Sequence, residues 1–266
     1  MIHADALRDK CRAPDHRTQK KEQAAPKRFA IHTLPSPKEP FFPAFIGACV
    51  WFVFAMVLET IPKAFVVMLP AVSRSLVLTG IISSAFAGVF EETGRFIAFR
   101  TVLRKYRTKR TAVTYAIGHG GFEAVFLITL TLLSTLMTGY MLGSGKLDAS
   151  LAIMSQEQKD AVYDKVAALA GIRITDVLTA YLERMIAVII HISLSVPVFL
   201  AAREKRSFML YPLAVFLHFA LDAVYAYFSF SGICPLIVTE IITLAAVVPV
   251  AVFAYRLYRS RPDEVA

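Results

Sequence analysis

Charge is what this chain has least of. Asp, Glu, Lys and Arg make up 18% of its 266 residues, where soluble domains carry about 25%. The apolar set reaches 56% and mean hydropathy is +0.57, which excludes an ordinary soluble enzyme of this length. Cysteine is scarce too: Cys11, Cys49 and Cys234 are scattered, with no CxxC pair and no even framework for disulfides. HExxH and GxSxG are both absent, so neither the usual zinc-protease helix nor a serine-nucleophile elbow is present. Nor is there a repeat with a period of about 20–50 residues, the mark of a solenoid. Alternation over stretches of about ten residues, the mark of a membrane barrel, is missing as well. What remains is long apolar runs. In lipid only helices and closed barrels satisfy every backbone N–H and C=O, so the chain reads as an all-α, polytopic helical membrane bundle.

The net charge is +9, which on a soluble protein would point to nucleic acid. Here the basic residues mark orientation instead, and the expected partner is the bilayer, with no nucleic acid. Residues 1–40 are polar, basic and proline-containing, with no apolar run before Phe41. They read as a flexible cytoplasmic arm rather than a signal peptide. Windows of about 20 apolar residues then give six spans over a domain at 41–258: 42–58, 76–99, 112–142, 176–202, 208–228 and 233–255. Residues 61–70 are apolar but broken by Pro62 and Pro70, and read as a short re-entrant or interfacial piece. Arg100, Arg104, Lys105, Arg107, Lys109 and Arg110 crowd the link between spans two and three. Arg203, Lys205 and Arg206 lie between four and five, and Arg256, Arg259 and Arg261 follow span six. The opposite links hold few bases, or bases diluted by Asp148, Glu157, Asp160 and Asp164. The positive-inside rule therefore predicts both termini in the cytoplasm, the second as a short tail at 259–266, in a multi-pass cell-membrane protein. The link from Asp148 to Gly171 repeats Val162, Val166 and Leu169 at helical spacing, which predicts a surface helix.

A titratable side chain in mid-span costs several kcal/mol unless paired or solvated. Span two nevertheless carries Glu91, Glu92 and Arg95 in GVFEETGRFIAF, and span three carries His119 and Glu123 in YAIGHGGFEAVF. Span four carries Glu183, Arg184 and His191, and span five His218 and Asp222 in HFALDAVY. Glu91 and Arg95, His119 and Glu123, and His218 and Asp222 are each four apart, so each pair shares a helix face. Glu91 and His119 lie nine residues from Arg100 and Arg110, roughly 14 Å at the helical rise. His191 and His218 lie twelve from Arg203 and Arg206, roughly 18 Å. The acidic pair and three histidines thus fall in one layer of the cytoplasmic half. Glu183 and Arg184 fall near the outer interface, where no function is required of them. Gly118, Gly120 and Gly121 read as points of close helix contact rather than a phosphate loop.

Adjacent carboxylates facing histidines suit hydrolysis by an activated water. A buried carboxylate serves as general base, Arg95 neutralises its partner, and Asp222 orients His218 or the water. The same set could instead ligate zinc through His119, His218 and Glu91, leaving one position for water. Glu123 and His191 are additional candidates. No other cofactor is indicated.

The spacing Glu91-Glu92-x-x-Arg95, Tyr115-x-x-x-His119 and His218-x-x-x-Asp222 resembles the signature motifs of the CAAX-prenyl-protease and bacteriocin-processing superfamily of intramembrane proteases, to which PrsW-like proteins also belong. The strings GHGGFE and EETGR are most similar to its YhfC-type bacterial branch. The resemblance covers roughly residues 76–228. It implies Glu91 as the water-activating base, Glu92 and Arg95 as its support, and His119 and His218 as water-orienting or metal-binding groups. Asp222 stands where the prenyl-protease members usually carry an oxyanion-stabilising Asn. Those members also place three residues between the acidic pair and the arginine, where this chain has two, and begin the second motif with Phe, where Tyr115 stands here. The resemblance implies either a glutamic or a metal-dependent protease.

The expected function is therefore an intramembrane endopeptidase acting on a membrane protein or peptide, with its site opening toward the cytoplasmic half. The same titratable chain also suits a proton-coupled transporter, although transporters commonly show repeats. A non-catalytic membrane partner or chaperone derived from the protease fold is the third reading.

Overall fold

A computed structural model describes residues 41–264; the basic arm expected over residues 1–40, Cys11 and the last two residues of the tail lie outside them. Every regular element among the described residues is a helix, and the β pairing among them is one isolated bridge between Thr108 and Glu264. Six helices are long and apolar enough to cross a membrane. Helix α1 (Phe42–Trp51) passes through a π-helical stretch, Phe52–Leu58, into α2 (Thr60–Val67). A short α3 (Pro70–Ser73) leads to α4 (Leu76–Arg100), then α5 (Arg110–Gly143). Two link helices, α6 (Leu147–Leu151) and α7 (Gln156–Ala170), precede α8 (Ile174–Arg203), α9 (Leu210–Ser231) and α10 (Leu236–Ser260).

The first span corrects the expectation drawn from Pro62. Residues 61–67 are no separate piece; they complete a single helix from Phe42 to Val67. Proline lacks an N–H, and its ring collides with the carbonyl one turn earlier in a regular helix. The wide π turn just before it relieves both problems. Glu59 N donates to Phe54 O at 2.9 Å, five residues back, and Thr60 Oγ1 donates to Met56 O at 2.8 Å. Pro70 opens α3, where a missing N–H costs nothing. The other five spans lie within five residues of their expected bounds. The helix expected between Asp148 and Gly171 is α7, started by a Ser155–Gln158 capping box.

The basic links close one end of the bundle. Arg203 of α8 donates to the carbonyls of Leu103, Arg104 and Tyr106, at 2.6–2.9 Å. Lys109 reaches Arg261 O at 2.9 Å and Asp263 at 3.1 Å, tying the residues after α10 to the start of α5. Phe42 stacks on Tyr106, and Phe208 packs edge-on against Phe96. Beneath these ties lies an apolar core of Phe99, Leu103, Tyr115, Leu194, Phe199 and Leu200.

Helix α8 is the central post, buried continuously from Ser193 to Ala202, as expected of a helix apolar on all sides. It packs against α4, α5, α9 and α10, while α4 lies along α9 and α1 along α5. The α1–α5 crossing depends on two glycines. A Cβ on Gly118 would meet Ala44 O at 1.9 Å, and one on Gly47 would meet Tyr115 O at 2.2 Å. Without glycine at these points the two backbones could not approach so closely.

Candidate active site

Helices α4, α5, α8 and α9 carry their polar residues to one layer beyond the apolar core. Glu92, Arg95 and His119 are fully buried, and Glu91, His191 and His218 nearly so. The three imidazoles stand in a row, with centroids 4.8 Å apart from His119 to His191 and 5.5 Å from His191 to His218.

Two hydrogen-bond systems divide the layer. The longer runs across four helices. Arg184 Nη1 donates to Glu123 Oε1 at 3.3 Å, and Glu123 Oε2 lies 2.6 Å from His191 Nε2. His191 Nδ1 is 3.0 Å from Arg95 Nη2. A guanidinium has donors only, so Nδ1 accepts and Nε2 carries the proton given to Glu123. Arg95 Nη1 lies 2.6 and 2.7 Å from the two Glu92 oxygens. His218 Nδ1 is 2.7 Å from Glu92 Oε1 and its Nε2 is 3.3 Å from Asp222. The shorter system pairs Glu91 Oε2 with His119 Nε2 at 3.0 Å, with Tyr115 Oη 3.4 Å from His119 Nδ1.

All eight sequence candidates therefore lie in one connected region: Glu91, Glu92, Arg95, His119, Glu123, His191, His218 and Asp222. Their partners differ from expectation in two ways. Among the described residues the group able to hold a metal ion is Glu91, His119 and His191, with one donor atom from each and all of these within 4.8 Å of one another. The expected set had His218 in place of His191, but both nitrogens of His218 are taken by Glu92 and Asp222. Of the two carboxylates that Arg95 was expected to choose between, it pairs with Glu92. Arg184, expected to sit apart at the interface, reaches into the layer through Glu123.

A cavity of about 480 Å³ meets the layer at Glu91, Glu123, His191, His218 and Asp222. Its other walls include Glu59, Lys63, Thr79, Arg184, Tyr225 and Glu240. These lie on the side of the layer away from the basic links. The expected opening is thus reversed, because Phe99, Tyr115 and Phe199 fill the other side at 0–1% exposure. Glu59 and Glu240 were not among the sequence candidates. Both are carboxylates in long apolar helices, and that was the signal available.

The donor set suits a metal of the zinc type: two imidazoles and a carboxylate, buried together. Glu123 on His191 Nε2, and Tyr115 beside His119, are outer partners of the kind that fix ligating imidazoles. One bond opposes it, since a metal on His191 Nδ1 would displace Arg95, whose other nitrogen remains on Glu92.

The YhfC intramembrane metalloprotease family model matches residues 41–243. The uncharacterized membrane protein YhfC of Bacillus subtilis (strain 168) is 28% identical over 185 residues, covering 68% of this chain and 71% of that protein. No solved structure matches. With three-quarters of its length matched and a buried Glu–His–His group inside the matched region, this chain belongs to the YhfC intramembrane metalloprotease family.

Proposed function

We propose that the protein hydrolyses peptide bonds within the membrane, with a water in the cavity activated at Glu91. The observation that carries this reading is the unequal setting of the acidic pair. Glu92 is fully buried and saturated by Arg95 and His218. Glu91 has one close partner, His119, and lines the cavity. Of the two, only Glu91 is placed to touch a water and a scissile carbonyl.

Each neighbour then has a role. Glu92 and Arg95 cancel each other's charge, leaving Glu91 the unneutralised member of the pair. His119, backed by Tyr115, orients Glu91. His218 stands between Glu92 and Asp222, so its ring can pass a proton from the layer to the cavity. Asp222, when ionised, is an acceptor, which suits holding His218 rather than stabilising an oxyanion. Glu91, His119 and His191 would hold the metal; when bound, such an ion makes a water ionise near neutral pH and polarises a carbonyl. The direct Glu91–His119 bond favours a second version without metal, in which Glu91 is itself the general base. The substrate is a membrane protein or peptide. The protein lies in the cell membrane with both termini cytoplasmic, following its basic links.

The test is a map of new peptide termini, from purified protein in lipid with a pooled peptide and membrane-protein library. Wild type is compared with Glu91→Gln, with and without chelator. Termini made only by the wild type are expected, and their loss with chelator separates the metal-dependent version from the glutamic one. Empty maps from both proteins refute proteolysis, and proton-flux measurement on the same vesicles then tests transport.

A further inference from the structure

The cavity walls are acidic in a chain that is basic overall. Six carboxylates face the cavity: Glu59, Glu91, Glu123, Glu183, Asp222 and Glu240. Among the described residues that line it, His191 and His218 already face Glu123 and Asp222, and the lysine and arginine, Lys63 and Arg184, are committed too. Lys63 Nζ lies 2.7 Å from Glu59, and Arg184 is shared between Glu183 and Glu123. Glu240 is left over. It sits on α10 at 2% exposure, and its Oε2 is buried with no hydrogen-bond partner. It lies within electrostatic range of Glu183 and Arg184 but forms no ion pair with Arg184, and a buried carboxylate without a partner is costly. A lysine or arginine side chain entering the cavity would supply the missing partner.

We infer that Glu240 is the recognition residue of a subsite for a basic side chain of the substrate, about three residues from the bond that is cut. This rests on the protease reading above. The spacing follows from α8. Arg184, which lines the cavity with Glu240 and lies within its electrostatic range, precedes His191 in the catalytic layer by seven residues, about 10 Å at the helical rise. An extended peptide covers that distance in about three residues at roughly 3.3 Å each.

The experiment measures binding in nanodiscs, so that it stands apart from turnover. The Glu91→Gln protein is titrated with an apolar peptide of about 20 residues carrying one lysine near its end, and with the same peptide carrying norleucine there. The lysine peptide is expected to bind at least ten-fold tighter, the gain of one charge-assisted hydrogen bond away from water. Adding Glu240→Gln should bring the two affinities together. Adding Glu240→Lys should reverse the preference toward a peptide carrying glutamate, a gain that a merely misfolded variant cannot produce. Equal binding of the lysine and norleucine peptides by Glu91→Gln overturns the subsite, whatever the termini map shows. If that preference holds while the wild type cuts nothing, proteolysis fails and the cation subsite stands. If the wild type cuts, a basic residue about three positions from the cut is expected, and cuts indifferent to it count against the proposal.

Discussion

Gly120 and Gly121 stand side by side on α5, and the same substitution should part them. A Cβ at Gly120 would lie 2.9 Å from Cδ2 of His191 and 3.1 Å from its Cβ, whereas nothing lies within 4 Å of one at Gly121. An ordinary contact requires the His191 ring to retreat by about 0.5 Å. The ring has little room to do so, being held by Glu123 at 2.6 Å and by Arg95 at 3.0 Å. Overpacking of this kind costs about 1–3 kcal/mol, and the gain from replacing a helical glycine is about 1 kcal/mol. The net loss of stability is therefore at most about 2 kcal/mol, small enough for the variant to fold. The effect on the site should be larger. A displacement of about 1 Å can cost on the order of 100-fold in rate, so Gly120→Ala should lose about ten-fold and Gly121→Ala almost nothing. Rates of terminus formation, with thermal melts of both variants in detergent, make the comparison. Equal rates for the two alanines would refute the placement of His191 against α5.

Three further outcomes follow from the same geometry. Removing one member of the Glu92–Arg95 pair, both side chains at 0% exposure, strands a buried charge at a cost of about 3–5 kcal/mol. Arg95→Met should therefore melt well below Glu92→Gln/Arg95→Met, and the reverse order would count against the pairing. His191→Ala should lower the metal bound per chain after loading with zinc, while His218→Ala should keep it; mass-spectrometric metal analysis reads both, and equal loss would return His218 to the ligand set. On exposed α7, the hydrogen bond to Asp148 holds the Tyr163 phenol above its usual range. Stability from that bond is present below the unfolded phenol value near 10 and is lost as pH rises through the folded one. Alkaline titration of tyrosinate absorbance, as the difference between wild type and Tyr163→Phe, should move down with Asp148→Asn.

The sequence by itself determined the class and the vertical order of this protein. A backbone in lipid must satisfy its own hydrogen bonds, so apolar runs of sufficient length had to be helices. The helical rise then set how deep each titratable group lies below the basic links. That placed Glu91, His119, His191 and His218 at neighbouring levels, and the four-residue spacings put each pair on one face. Height and face are properties of a single helix, so they are legible one helix at a time.

Only the tertiary structure decided which neighbours those faces meet, since this depends on how helices rotate and approach one another. Close approach at Gly47 and Gly118 brings α1 onto α5, and Gly120 admits the His191 ring, so His191 and not His218 joins Glu91 and His119. Either carboxylate could meet Arg95 along one helix; Arg95 pairs with Glu92 while Glu91 bonds His119 across on α5. The packed aromatics at the basic end and the polar walls at the other end sent the cavity away from those links. Pro62 was misleading for the same reason: whether a proline breaks a helix depends on whether the preceding turn can widen, and here a π turn allows it.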